Sequence, residues 1–241
     1  MTSFLKIIIP ALILLAFSCK SQNPKPGPLI PKDLTNKNEK ENTLFVFVGE
    51  KIDYKPIPSK PGDFDNGIKA KYKIIQRVYG DYQSDIIEFE AYDHYGTPQF
   101  TKYKNALLFV SKFKGKYYQE KYMYDAVFKT RNGRWAGPYS DEYDHPYNKN
   151  TSVKPEIIDF AEEVSFPTKF IDQDGKVLEL SYPEPYFKTI GEKAIAIYGN
   201  YIEELFKLRK EGVLTARELF GDKEAKEAEL EKNRDSTTED Y

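Results

Sequence analysis

Five short runs of aromatic and β-branched residues, crowded between residues 44 and 130, constrain the folding of this chain more than any other feature. Leu44-Phe45-Val46-Phe47-Val48-Gly49 is a continuous apolar run of the kind a buried strand needs, and Gly49 allows a bulge or bend at its end. A loop through Pro56, Pro58 and Pro61 follows, after which Ile68 to Val78 alternates and Gly80-Asp81 marks a turn. Ile86 to Tyr92 forms a third run and Ala106 to Val110 a fourth. Tyr117 to Thr130 is the fifth, ended by Asn132-Gly133, a pair that suits a tight hairpin with positive φ at both centres. Strands met in such quick succession predict antiparallel pairing in a small barrel or sandwich, not a parallel sheet. Composition points the same way, since 19 Tyr and 16 Phe stand against one Trp and two Met, and aromatic residues favour strands.

The order of these runs resembles the netrin-like, TIMP-like OB barrel. Phe47-Val48-Gly49-Glu50 matches that family's "vFvG" strand, Tyr72 to Asp81 its "y.f.v...ykGd" strand, and Ala106-Leu107-Leu108-Phe109-Val110 the closing "yLvf". The resemblance covers about residues 44 to 130 and implies a five-stranded antiparallel OB-like barrel. Metalloprotease inhibitors of this fold chelate the protease metal through a disulfide-bonded N-terminal cysteine. This chain has one cysteine, Cys19, far from the barrel, so inhibition by that mechanism is not implied.

Cys19 has a different reading. It directly follows Ile7 to Phe17, eleven mostly apolar residues behind Lys6, whereas a bilayer core takes roughly 20 to span. That is a secretory signal, with Ser18 as the small residue at the cleavage point. Ala16-Phe17-Ser18-Cys19 resembles the lipobox of bacterial lipoproteins, which implies cleavage before Cys19 and its acylation. Two or more acyl chains anchor stably, each buried methylene contributing about 0.8 kcal/mol. Acylation also uses the lone thiol that a secreted domain would otherwise expose, leaving no disulfide, thiolate chemistry or Cys-ligated metal. In diderm lipoproteins an Asp after the acylated cysteine commonly signals inner-membrane retention. Lys20 stands there instead, so the resemblance implies lipid anchoring in the outer membrane, facing the periplasm or the cell surface. Removing residues 1 to 18 takes 36 basic and 38 acidic residues to 35 and 38, a net of −3, with no basic excess for nucleic acid. Residues 20 to 42, as in Asn23-Pro24-Lys25-Pro26-Gly27-Pro28, read as an extended tether.

Near the C-terminus, Ile202 to Glu218 resembles the short helical hairpin called SHOCT, with its pattern "L..L...G.LT..E....K". Physics alone suggests the same boundaries. Gly212 suits the left-handed position after a helix end, and Thr215 with Glu218 makes a capping box for the next helix. Ile190, Ala194, Ile197, Tyr198, Tyr201, Ile202, Leu205 and Leu208 recur at helical spacing, which predicts one long amphipathic helix. Its stripe packs on the barrel or meets a partner.

Catalytic candidates are few. His94 and His145 are the only histidines, and neither has a second histidine at metal-ligand spacing. Asp93, His94, Asp144 and His145 would bind zinc or run acid and base chemistry if their loops met; solvated loops are the competing reading. Asp172-Gln173-Asp174-Gly175 lacks the further ligands of a calcium loop and reads as a turn between Phe170-Ile171 and Val177-Leu178-Glu179-Leu180. Tyr117, Tyr118, Tyr122, Tyr124, Trp135, Tyr139, Tyr143 and Tyr147 crowd one region, where exposed rings would stack on sugars or dock a peptide. Alternation sends Tyr118, Tyr122 and Tyr124 to one face with Ala126 and Phe128, which predicts core for that set.

The expected architecture is mainly β with C-terminal helices. It comprises a signal peptide (1–18), acylated Cys19 and tether (19–43), barrel (44–140), loop and small hairpin (141–188), helical region (189–232) and disordered tail (233–241). The expected function is a non-enzymatic binding or interaction module of the cell envelope, with a protein or glycan partner and membrane contact through the anchor. No catalytic, cofactor or metal-ligating residue is assigned. An envelope hydrolase around His94 and His145 is the alternative, and a purely structural envelope protein the third reading.

Overall fold

The computed structural model describes residues 44–140, 143, 145–171, 175–217 and 219. The signal, Cys19, the tether, Asp144, Asp172, Gln173, Asp174, Glu218 and the tail lie outside the described residues, and of the expected hairpin's second helix only residues 215–217 and 219 are described.

Strands β1 (Leu44–Pro56), β2 (Asn66–Tyr79), β3 (Ile86–Asp93), β4 (Asn105–Phe113) and β5 (Lys116–Ala126) form a closed barrel in the order β1-β2-β3-β5-β4. All neighbours run antiparallel except β3 and β5, which pair parallel at Glu90 and Tyr118. The expectation of uniformly antiparallel strands fails for a reason of parity. An odd number of strands cannot alternate in direction all the way round a closed ring, so one parallel pair is obligatory.

Inside the barrel lie Phe45, Phe47, Ile68, Ala70, Tyr72, Ile87, Phe89, Ala106, Leu108 and Val110, with Phe100 inserted from the 3-10 turn Gln99–Lys102. The run from Leu44 to Val48 is buried on both faces, because Leu44, Val46 and Val48 point outward into a second cluster with Leu107 and Phe109. Helix α1 (Ile202–Arg209) covers that outer face with Ile202 and Leu205. Eight residues are too few for a helix to persist alone in water. Its fully buried side chains, each worth roughly 1.5–3 kcal/mol, hold it in place. The bulge expected at Gly49 is present, since the β1–β2 register shifts there. A Cβ at Gly49 would come within 2.8 Å of the Phe47 ring and 2.9 Å of Tyr72.

Among the described residues, nine short strands follow the barrel: β6 (Phe128–Lys129), β7 (Trp135–Pro138), β8 (Glu156–Ile157), β9 (Ser165–Pro167), β10 (Lys169–Ile171), β11 (Val177–Glu179), β12 (Phe187–Ile190), β13 (Lys193–Ala196) and β14 (Tyr198–Tyr201). They pair as β6-β7-β14-β8, β12-β13-β9 and the hairpin β10-β11. That last hairpin is the one expected around Gly175. A third apolar cluster, including Ala136, Tyr139, Phe160, Val164, Phe187 and Ala194, joins the four-stranded and three-stranded sheets, while β10 and β11 are exposed along their length.

Two local expectations are corrected. The stripe from Ile190 to Leu208 is not one helix: β12, β13 and β14 occupy it as far as Tyr201, and only Ile202–Arg209 is helical. Gly191 (φ +60°) sits at the first central position of a two-residue turn between Ile190 and Lys193, as a type II′ hairpin requires. Ile190 consequently points to solvent. Gly212 is not left-handed either, with φ −99° and ψ −106° in a kinked turn, Lys210–Leu214. It is glycine for space, because a Cβ there would stand 1.9 Å from Asn148 Oδ1. The chain keeps coiling beyond the kink, so Thr215 is no N-cap: its backbone is helical and its hydroxyl donates back to the Lys210 carbonyl at 2.6 Å.

Candidate functional site

A cleft of about 230 Å3 lies where barrel side chains meet those of the later sheets. The barrel contributes Tyr103, from the link between β3 and β4, and Tyr122, Tyr124, Asp125 and Ala126 from the last turns of β5. Across from β7 come Pro138, Tyr139 and Ser140; Phe166 comes from β9, Phe187 from β12, and Tyr182 from the segment before it. Seven of the twelve lining residues are therefore aromatic.

Tyr122 explains how β5 presents this wall. Its φ is +65°, the left-handed region that an aromatic residue rarely occupies. The β4–β5 register shifts between Leu108 and Val110, and the Gln119 side-chain amide donates to the Met123 carbonyl at 2.9 Å across the irregular segment. Such a bulge inverts the alternation of a strand. Tyr117 faces the barrel core before it and Tyr124 after it, while Met123 turns outward beneath α1. The expectation that Tyr118, Tyr122 and Tyr124 share a buried face is thus overturned: Tyr122 is 38% exposed, and it is Tyr117, not Tyr118, that packs on the barrel core with Tyr124.

Arg209, the last residue of α1, closes the cleft's buried side. Its Nη2 donates to Asp125 Oδ1 at 2.8 Å and to the Tyr124 carbonyl at 3.0 Å, and its Nε to Asp125 Oδ2 at 3.3 Å. The two side chains are 4% and 10% exposed. A two-point ion pair of this kind cancels both charges inside the protein.

Three of the phenols are held neutral. Burial, aided by the neighbouring Tyr103 and Asp125 and opposed by Arg209, pushes Tyr124 up to about 12. Burial also raises Tyr103. Tyr182 is raised by burial first and then by Tyr103. Each therefore keeps its proton and can both donate and accept. The Tyr182 hydroxyl donates to the Pro167 carbonyl at 3.2 Å. The Tyr103, Tyr122 and Tyr124 hydroxyls form no hydrogen bond with another described residue. Ring contacts set the walls: Tyr103 to Tyr124 at 6.2 Å, Tyr182 to Phe187 at 5.0 Å and Phe166 to Tyr182 at 6.1 Å. Behind Tyr139, Tyr186 stacks at 3.9 Å and Tyr143 at 5.2 Å.

Of the eight aromatic residues singled out from the sequence, Tyr122, Tyr124 and Tyr139 line the cleft and Tyr143 backs it. Tyr117 fills the barrel, Tyr118 pairs with Glu90, Trp135 lies under Lys129 Nζ at 4.2 Å, and Tyr147 is 43% exposed. The histidines occupy separate surroundings. His94 Nδ1 lies 3.0 Å from the Phe64 carbonyl and 3.8 Å from Asp65, whereas His145 packs at a tilt against Tyr147 and accepts from its backbone N–H. Asp93 caps the Tyr95 backbone N–H. Among the described residues no group of three or more His, Cys, Asp or Glu is arranged to hold a metal ion, and no helix is long and apolar enough to cross a membrane.

Tyr103, Phe166, Tyr182 and Phe187 carry no local signal that marks them as cleft residues. Arg209 does carry one, being a lone cation seven positions after Ile202 on the apolar face of a helix. Compared with known proteins, the chain matches no protein-family model, no curated protein and no solved structure.

Proposed function

We propose that the chain is a lipid-anchored lipoprotein of the outer membrane, acylated at Cys19, whose folded part is a non-enzymatic binding module facing the periplasm or the cell surface. The observation that carries the reading is the aromatic cleft: a concave site with neutral phenols and an internally cancelled ion pair recognises a ligand without supplying an acid, base or nucleophile poised to react. The strand order β1-β2-β3-β5-β4, closed through β1, supports reading the barrel as OB-type and akin to the netrin-like domain. The signal, the lone cysteine and Lys20 support the anchor and its membrane.

Two experiments test the parts separately. Cells fed an alkyne-bearing palmitate are expected to label the wild-type chain and not Cys19→Ser; equal labelling of both sinks the anchor. Affinity capture from intact cells, run beside a Tyr103→Ala/Tyr182→Ala chain, is expected to lose its co-purifying molecule in the variant. An identical yield from both would remove the cleft from the account.

A further inference from the structure

We propose that the cleft binds a neutral saccharide, taking one or two pyranose rings of a chain. The inference rests on the binding-module reading and names its ligand class. Three properties of the cleft select that class. Its walls are rings, which offer flat π-faces to the C–H face of a sugar and supply the predominantly apolar lining of a small-molecule site. Its uncommitted polar groups include the Tyr103, Tyr122 and Tyr124 hydroxyls, donor and acceptor at once, the same chemistry as the sugar hydroxyls they would meet. Its one cation, Arg209, already holds Asp125 at two points, so a ligand carboxylate or phosphate finds no partner there and would lose its hydration uncompensated.

Size and access agree. About 230 Å3 falls below the roughly 300 Å3 at which pockets begin to enclose drug-sized molecules, so the site grips part of a longer chain. Tyr122 keeps 38% of its surface open to solvent, with Tyr95 6.2 Å beyond it and itself 84% exposed. These rings extend the aromatic surface outward along the direction a second sugar would take. A peptide is the competing occupant, because β9 and β12, which line the cleft, are the edge strands of their sheet and offer main-chain pairing; the hydroxyl-bearing rings favour the sugar.

The test uses the full chain in a detergent without a sugar headgroup, with cellobiose, maltose and diacetylchitobiose as probes in saturation-transfer NMR. At least one is expected to receive saturation on its ring C–H protons. Tyr124→Ala and Tyr103→Ala should each weaken it at least tenfold, Tyr147→Ala should leave it unchanged, and a uronic-acid disaccharide should bind at least tenfold more weakly. If an alanine variant melts early, Tyr103→Phe and Tyr124→Phe replace it; these keep the rings, remove the hydroxyls and should still weaken binding measurably. Absence of saturation on all three neutral disaccharides overturns the saccharide inference, as does saturation that none of the cleft substitutions changes. A proline-rich decapeptide bound in a Tyr124-dependent way, with the sugars silent, overturns it too and leaves the binding-module reading standing. Silence from every probe together with a capture yield indifferent to the cleft substitutions brings down both.

Discussion

Tyr72 offers a direct test of how the barrel interior is held. It sits on β2 with none of its surface exposed, 5.6 Å from the Phe89 ring and 5.9 Å from that of Phe100. Its hydroxyl has no hydrogen-bond partner among the described residues, and burial first, then the neighbouring Tyr54, raises its ionisation far above the ordinary phenol range. A hydroxyl taken out of water without a partner costs about 1–3 kcal/mol in proteins. Deleting it leaves a space no larger than a methyl group, which costs about 1 kcal/mol. Tyr72→Phe should therefore stabilise the chain by about 1 kcal/mol, raising the melting temperature by roughly 2–4 °C for a domain of this size. Urea unfolding should show the midpoint shift at unchanged slope. Tyr72→Ala serves as the control and should lose about 3–5 kcal/mol through the cavity it opens. If Tyr72→Phe instead destabilises by more than about 1 kcal/mol, the hydroxyl is hydrogen-bonded in solution and the reasoning fails.

Removing one half of the buried pair should be costly and removing both should not. Arg209→Met leaves Asp125 buried and unpaired, an expected loss of about 3–5 kcal/mol, whereas Arg209→Met/Asp125→Leu should recover most of it; urea titrations that give the same loss for both variants contradict this. Gly212→Ala drives a methyl into Asn148 Oδ1, and overpacking of this kind costs about 1–3 kcal/mol; Asn148→Ala in the same chain should restore part of the melting temperature, and no restoration would place the fault elsewhere. Glu120 titrates the other way from a typical carboxylate. Burial raises it above 4.5 against the opposing Ser111 and Arg217 contacts, so the folded chain holds a proton that the unfolded chain releases, and its contribution is complete below 4.5 and lost as pH rises through the folded value. Glu120→Gln fixes the uncharged form, so its melting temperature relative to wild type should be higher at pH 7 than at pH 4; calorimetry showing a constant or shrinking difference refutes the assignment.

The barrel was legible because its signals are local. Each of the five runs between Leu44 and Thr130 falls on a barrel strand, with most ends moved by a few residues and β1 running seven residues past Gly49 to Pro56, into the expected loop. What local reading missed was the parallel β3–β5 pair and the place of the tight turn. β5 forms a tight hairpin with β4, where Lys114 (φ +47°) and Gly115 (φ +79°) adopt the double positive φ expected at Asn132-Gly133. At the latter pair only Gly133 is positive, in a three-residue loop closed by the Thr130 N–H bonding to the Arg134 carbonyl. Helical spacing also hid the strands between Ile190 and Tyr201. Apolar residues at 190, 194, 197, 198 and 201 satisfy a helical period by coincidence, and the decisive residue was Gly191, whose positive φ makes a hairpin and stops a helix.

The cleft was half legible, and the division has a physical basis. Tyr122, Tyr124 and Tyr139 could be picked out because they crowd together in sequence near one hairpin. Tyr103, Phe166, Tyr182, Phe187 and Arg209 come from separate segments, and only the packing of the later sheets and α1 beside β5 brings them together. Parity misled even for the tyrosines that were found, since a single residue at positive φ reverses which side of β5 faces the core. Two local departures from regularity thus define the site: the bulge that turns Tyr122 out to its mouth, and the charged residue that ends the apolar face of α1. Tyr122 occupies a conformation that costs a non-glycine residue of order 1–3 kcal/mol, and Arg209 adds the desolvation of a buried charge. Tyr122→Gly relieves the first and removes the Tyr122 ring with it, so it should stabilise the strand while taking away one wall of the cleft. Stability and ligand binding moving in opposite directions in that one variant would show that the strained residue serves the site and not the fold.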